Sequence, residues 1–93
     1  MNLPTDYTKL TQQERRLVRE EYAILQKGKC SHCGEPLDKV AACEVMEKQI
    51  NARAFPSNFF KYPVHLHHCH DTGMTIGAVH CRCNAVLWQY HGE

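Results

Sequence analysis

The sequence predicts a small α+β domain stapled by zinc. Three observations carry that expectation. An amphipathic helical stripe follows a capping signal near the N-terminus. Short Cys and His knuckles stand at two separated places. Between the two lies an alternating hairpin pattern, and a short helix follows the second. A chain of 93 residues buries too little apolar surface to be stable without help, so the six Cys and seven His are the natural staple.

Each element has its own signal. Thr11 and Glu14 stand three apart as a capping box, and Leu17, Val18, Tyr22, Ile24 and Leu25 form the apolar stripe that follows. With Gly28 as the stop, the helix is expected over 12–27. Its other face carries Arg15, Arg16 and Arg19, with Lys27 near the end. That face reads either as a solvated one, partly offset by Glu14, Glu20 and Glu21, or as one that contacts phosphate. Cys30-Ser31-His32-Cys33-Gly34 is a tight C-x-x-C-G turn, and Pro36 interrupts regular structure after it. A second helix is expected over 38–54, from Asp38 and the apolar Val40, Cys43, Met46 and Ile50. Phe55-Pro56-Ser57-Asn58 is a loop signal, and the aromatics Phe59, Phe60 and Tyr62 read as core. Val64 to His68 alternates as a strand, Asp71-Thr72-Gly73 turns, and 74–79 returns as the second strand. Residues 84–91 look helical, with Gly92 as the stop.

Composition narrows the class. The net charge is +1, which excludes a polycation that coats nucleic acid. No apolar run reaches membrane-spanning length. Residues 1–6 show no basic segment followed by an apolar one, so no export signal is expected. The cysteines interleave with histidines in metal-like spacings, so reduced thiols in a cytoplasm are expected rather than three disulfides. Cys43 and Cys69 fall outside the knuckles and read as free, semi-buried thiols.

Zinc takes four soft or borderline ligands in a tetrahedron. Cys30 and Cys33 supply two and Cys83 a third. The fourth is His80, in an H-x-x-C knuckle, or Cys81, in C-x-C. Two intervening residues let both side chains converge, which favours His80. The dense run His67-His68-Cys69-His70 is then left over, and it implies a second site. Alternation puts His68 and His70 on one strand face and His67 on the other. Asn84 follows a zinc ligand and opens a helix. It reads alone as an N-cap, and with the histidines as a metal ligand or orienting amide. His32, His65 and His91 show no evident role.

Leu66-His67-His68-Cys69-His70-Asp71-Thr72-Gly73, running to His80-Cys81-Arg82-Cys83-Asn84, resembles the HNH, or ββα-metal, nucleases. The likeness is strongest to the phage recombination endonuclease VII branch, and it covers about residues 28–92. It implies one domain over 1–93: an N-terminal amphipathic helix in 10–28, a first zinc knuckle in 29–37, an insertion in 38–62 and a hairpin-plus-helix ββα-metal core in 63–92. It implies Cys30, Cys33, His80 and Cys83 as structural zinc ligands. It implies His68 as general base, His70 near the scissile phosphate, and His67 with Asn84 on a catalytic divalent ion, Mg²⁺ or Mn²⁺ or else Ni²⁺, Co²⁺ or Zn²⁺. The chain departs from the branch where His67 replaces Asp, where His80 replaces Cys, and in the longer 38–62 segment.

The resemblance implies a metal-dependent DNA endonuclease that nicks with weak sequence preference and leaves 5′-phosphate and 3′-hydroxyl ends. Arg15, Arg16, Arg19 and Lys27 would supply the attraction to DNA. A homodimer or a larger nuclease or packaging complex is the expected assembly, in the host cytoplasm if a phage encodes the chain. The near-neutral charge and the missing Asp support a rival reading, a non-catalytic zinc-binding interaction protein or an accessory subunit.

Overall fold

The computed structural model describes residues 2–92. In chain order it contains α1 (Gln12–Leu25), α2 (Cys43–Met46), β1 (Val64–His68), β2 (Thr75–His80) and α3 (Cys81–His91), with short 3-10 turns at Tyr7–Lys9, Ala52–Ala54 and Phe59–Lys61. β1 and β2 form a two-stranded antiparallel sheet. Its register pairs Val64 with His80 and Leu66 with Ala78, and it slips between His67 and His68. Among the described residues no helix is long and apolar enough to cross a membrane.

α1 starts where its capping box says it should. Glu14 N donates to Thr11 Oγ1 at 3.2 Å, and Thr11 N donates to Glu14 Oε1 at 2.9 Å. The helix stops two residues short of the expected end because Lys27 already has a left-handed φ of 58°, followed by Gly28 at 76°. Gly28 N then closes the terminus on Ala23 O at 2.8 Å. Val18 and Tyr22 enter the core, where they join Leu37, Ala41, Val45, Leu66, Ala78, Val79 and Val86.

The outer edge of β2 is covered by segments distant in sequence. Tyr7 N donates to Gly73 O and Thr75 N to Thr5 O, both at 2.8 Å, so residues 5–7 run along the strand. Thr75 is buried, and its hydroxyl meets Thr5 N at 3.0 Å and Tyr22 Oη at 2.9 Å. Further along, Gln26 mimics a strand: Ala78 N donates to its Oε1, and its Nε2 donates to Ala78 O, each at 2.9 Å. Backbone groups left bare on an edge would invite another chain, and these contacts satisfy them.

Four expectations are corrected. The helix over 38–54 shrinks to the four residues of α2. Side chains of α3 take the backbone carbonyls that would have continued it: Arg82 donates to Met46 O and Lys48 O, while Gln89 and Tyr90 donate to Gln49 O. The expected stripe faces outward, with Val40 and Met46 exposed. The aromatics at 59–62 are not core, since Phe59 is half-buried and Phe60 and Tyr62 are exposed. Phe59 and Phe60 pack on Phe55, which in turn meets Trp88 edge-on at 5.3 Å. Helix α3 begins at Cys81 with His80 as its N-cap, so Asn84 is inside the helix and does not cap it. Cys43 is exposed rather than semi-buried, Cys69 is half-buried, and none of the six cysteines forms a disulfide.

Gly77 sits where β2 touches its cover. A Cβ there would lie 2.8 Å from Gln26 Oε1 and 2.9 Å from Ser31 Oγ. The Gln26 amide is held at both ends, so it cannot yield freely. Gly77→Ala is expected to lower the stability of the metal-loaded protein by about 1–3 kcal/mol in urea unfolding. An unchanged midpoint would mean that the edge cover is loose.

Candidate metal centre and the adjoining cleft

The first knuckle is a backbone turn closed by Gly34, whose φ of 80° lets its N–H reach Cys30 O at 3.0 Å. His32 N donates to Cys30 Sγ at 3.4 Å, the kind of contact that favours a thiolate. Ser31 N binds Ala78 O at 3.1 Å and docks the knuckle on β2. The second knuckle is the corner between β2 and α3. His80 caps the helix and Cys83 lies three residues on, one turn along, so both side chains point the same way.

Together these corners bring Cys30, Cys33, His80 and Cys83 into one group whose ligand atoms all lie within 4.8 Å of one another. His80 Nδ1 is 3.4 Å from Cys33 Sγ and 3.6 Å from Cys83 Sγ. A tetrahedral zinc, with bonds of about 2.3 Å to sulfur and about 2.0–2.1 Å to nitrogen, demands sulfur–nitrogen edges of about 3.5 Å. The group therefore has the size and donor set of a structural metal site. The other ring nitrogen confirms the tautomer: Nε2 donates to Pro36 O at 2.8 Å, leaving the Nδ1 lone pair toward the sulfurs. Cys81 is outside the group, and burial pushes its thiol up.

The thiols are poised to ionise. A hydrogen bond from Cys83, helped by backbone N–H groups, draws Cys30 down to about 4. Cys83 moves the opposite way, because Cys30 and then burial hold its proton in place. A metal ion in the group would bind the thiolates and displace their protons.

A second feature opens beside the metal group. A cleft of ≈ 930 Å³ is lined by His65, His68 and Asn84 together with His70, by Arg15, Arg16 and Arg19 of α1, and by Phe55, Phe59, Tyr62 and Trp88. Lys27 and His67 are not on its lining. Lys27 sits in the turn beyond α1, and His67 is only 5% exposed.

His68 is held in a stack. Its ring lies flat on Tyr7, with centroids 3.8 Å apart and planes 6° from parallel. Arg15 covers the Tyr7 ring at 3.9 Å and donates to Tyr7 O from both Nε and Nη2. His70 approaches His68 edge-on at 4.9 Å. Burial first, then the nearby His70, holds the His68 ring below its ordinary 6.5. The Leu66 carbonyl works the other way.

Asn84 meets a residue to which the sequence assigned no role. Its amide nitrogen is 3.1 Å from His65 Nδ1, and His65 Nε2 is 2.9 Å from Phe59 O. The carbonyl can only accept, so Nε2 carries the proton and Nδ1 accepts from Asn84. That assigns the amide nitrogen to His65 and leaves Oδ1 as the acceptor turned elsewhere. Strand alternation would group His65 with His67 and apart from His68, but the register slips between His67 and His68, and His65 lines the cleft with His68 while His67 does not. No signal marked Tyr7, which arrives through the edge pairing of residues 5–7. Comparison with protein-family models, with curated proteins and with solved structures finds no match to the chain.

Two outcomes are expected here. In competition with a chromophoric chelator, His80→Ala is expected to weaken Zn²⁺ binding more than tenfold and to lose the cooperative fold, while Cys81→Ala binds like the parent chain. The reverse pattern would move the fourth ligand to Cys81. For pH, both His65 and His68 are held below 6.5, mainly by burial. The unfolded chain therefore binds their protons first. Their contribution to stability is complete above pH 6.5 and is lost as pH falls through the folded values. NMR titration of the imidazole resonances is expected to show both rings titrating below 6.5, and midpoints at or above it would refute the burial assigned to them.

Proposed function

We propose that the chain is a metal-dependent DNA endonuclease of the ββα-metal type. The observation that carries the reading is the cleft: His68, His70 and Asn84 line it together with Arg15, Arg16 and Arg19. The order of hairpin, Cys–His corner and helix supports it as well. In this reading His68 accepts a proton from the attacking water. Its depressed basicity keeps it neutral at physiological pH, as a base must be. Tyr7 and Arg15 restrain the plane of its ring. His70 donates to a phosphate oxygen, and the α1 arginines hold the neighbouring backbone.

Asn84 would hold a divalent ion, Mg²⁺ or Mn²⁺, at the cleft, whereas His67, which the resemblance pairs with it, is 5% exposed and lies off the cleft lining. The donor chemistry fits, because Asn84 turns its nitrogen to His65 and so offers an oxygen, and a hard cation needs few protein ligands beside water and phosphate. When bound, such an ion neutralises charge on the phosphate and eases departure of the 3′-oxygen. A zinc ion in the Cys₃His group would be structural only, since all four positions are filled by protein.

One observation favours the rival reading of a non-catalytic zinc-binding module. Among the described residues Cys30, Cys33, His80 and Cys83 are the one group of three or more His, Cys, Asp or Glu placed to hold a metal ion. Supercoiled plasmid incubated with the zinc-loaded protein and Mg²⁺, Mn²⁺ or neither separates the two. Divalent-dependent nicking is expected, reduced about 10²-fold or more in folded His68→Ala. Nicking at the parental rate in that variant would remove His68 from the reaction. No cutting of duplex, branched or single-stranded DNA with any divalent ion would leave the binding module.

A further inference from the structure

The segment 38–62 turns its aromatics toward the cleft rather than the core. Phe55, Phe59 and Tyr62 line it, and α3 adds Trp88 one helical turn beyond Asn84. Trp88 is 45% and Tyr62 54% exposed, which is much ring surface to leave in water without a use. On α1, Arg15, Arg16 and Arg19 share the helix face that borders the same cleft, while Val18 and Tyr22 take the core. Arg15 is committed to Tyr7, so Arg16 and Arg19 are the cations left for a ligand.

A ligand that complements both walls carries phosphates and flat apolar faces. Nucleic acid has both, but a duplex hides its base faces in its own stack. Only an unpaired nucleotide can lay a base on a side-chain ring. The cleft volume of ≈ 930 Å³ is at the upper end of the 300–1,000 Å³ or so typical of small-ligand pockets, enough for a base with its sugar and phosphate. Resting on the nucleic-acid reading above, we propose that the cleft takes an unpaired nucleotide of a single strand, loop or branch. The base stacks on the wall of Trp88 and Phe55, and Arg16 and Arg19 hold the adjoining phosphates.

The chain has one Trp, so its intrinsic fluorescence reports this wall directly. Zinc-loaded protein, with no other divalent ion, is titrated with an oligothymidine strand and with a duplex of equal length at one salt concentration. The single strand is expected to quench Trp88 and to bind at least tenfold tighter than the duplex. Followed by the fluorescence anisotropy of end-labelled DNA, since the variant has no tryptophan, Trp88→Leu is expected to lose about 5- to 150-fold in single-strand affinity, the range of one base–aromatic stack, with duplex binding unchanged. Trp88→Phe keeps a ring and is expected to restore most of the loss, which separates stacking from a folding defect. Arg16→Ala or Arg19→Ala is expected to weaken binding and to lower the salt slope by about 0.7–0.9. Equal affinity for the two DNAs, binding without quenching, or no binding to either would overturn the proposal. Single-strand preference without nicking would sink the nuclease assignment and leave the cleft's ligand standing. Nicking without that preference would do the opposite.

Discussion

The two ring nitrogens of His80 join the molecule. Nδ1 faces the sulfurs of Cys33 and Cys83, and Nε2 holds the Pro36 carbonyl just past the first knuckle. One imidazole thus ties the N-terminal half to the corner where β2 becomes α3. That corner aims the rest. His80 ends β2 and caps α3, so its position sets the direction in which the helix leaves the strand, and hence where Asn84 and Trp88 emerge. A zinc ion in such a group is worth on the order of 10–16 kcal/mol, comparable to or larger than the whole net stability of a typical domain, about 5–15 kcal/mol. The described core has few large side chains, and Val18, Val79, Val86 and Cys83 are the largest that are fully buried. The Cys–His corner thus helps to position the cleft side chains Asn84 and Trp88.

Local chemistry was legible in the sequence, and distant chemistry was not. Thr11 and Glu14 act within one turn of each other, so the start of α1 could be read directly. The strands and the grouping of Cys30 and Cys33 with His80 and Cys83 follow from alternation and from the two-residue spacing of a knuckle. The 38–54 helix failed because its rivals lie in α3: Arg82, Gln89 and Tyr90 take carbonyls that a helix would have used. No feature of residues 2–10 announces that they will lie along β2, since an edge strand of this kind is defined by its partner. Tyr7 was invisible for that reason. His65 was hidden too, because regular alternation groups it with His67 and apart from His68, and the register slip between His67 and His68 is not written in the local pattern.

The same distinction explains the aromatics. Phe59, Phe60 and Tyr62 have core composition, and hydrophobicity alone places them inside. In the folded chain Phe59 is half-buried and Phe60 and Tyr62 are exposed, all outside the core that Val18, Tyr22, Leu66 and Val79 build. The rings instead gather beside Trp88 and His65, where Phe59 also supplies the carbonyl that sets the His65 tautomer. Segment 38–62 therefore acts on the cleft twice, as a wall and as the support that turns Asn84.

Electrostatics and stacking act on His68 together. A protonated His68 would face His70 edge-on, lose solvent to burial, and meet Arg15 across the Tyr7 ring. Each of these opposes the charge, so the neutral ring is the stable one. The Tyr7 stack restrains the ring without offering a hydrogen bond, so it holds the plane while leaving the nitrogen lone pair to other partners. A guanidinium above the far face of Tyr7 strengthens that layer through its attraction to the ring. The arrangement has a cost in access, because the strap that steadies the imidazole also covers one of its faces. A ligand in the cleft therefore meets the part of the His68 ring that Tyr7 leaves uncovered.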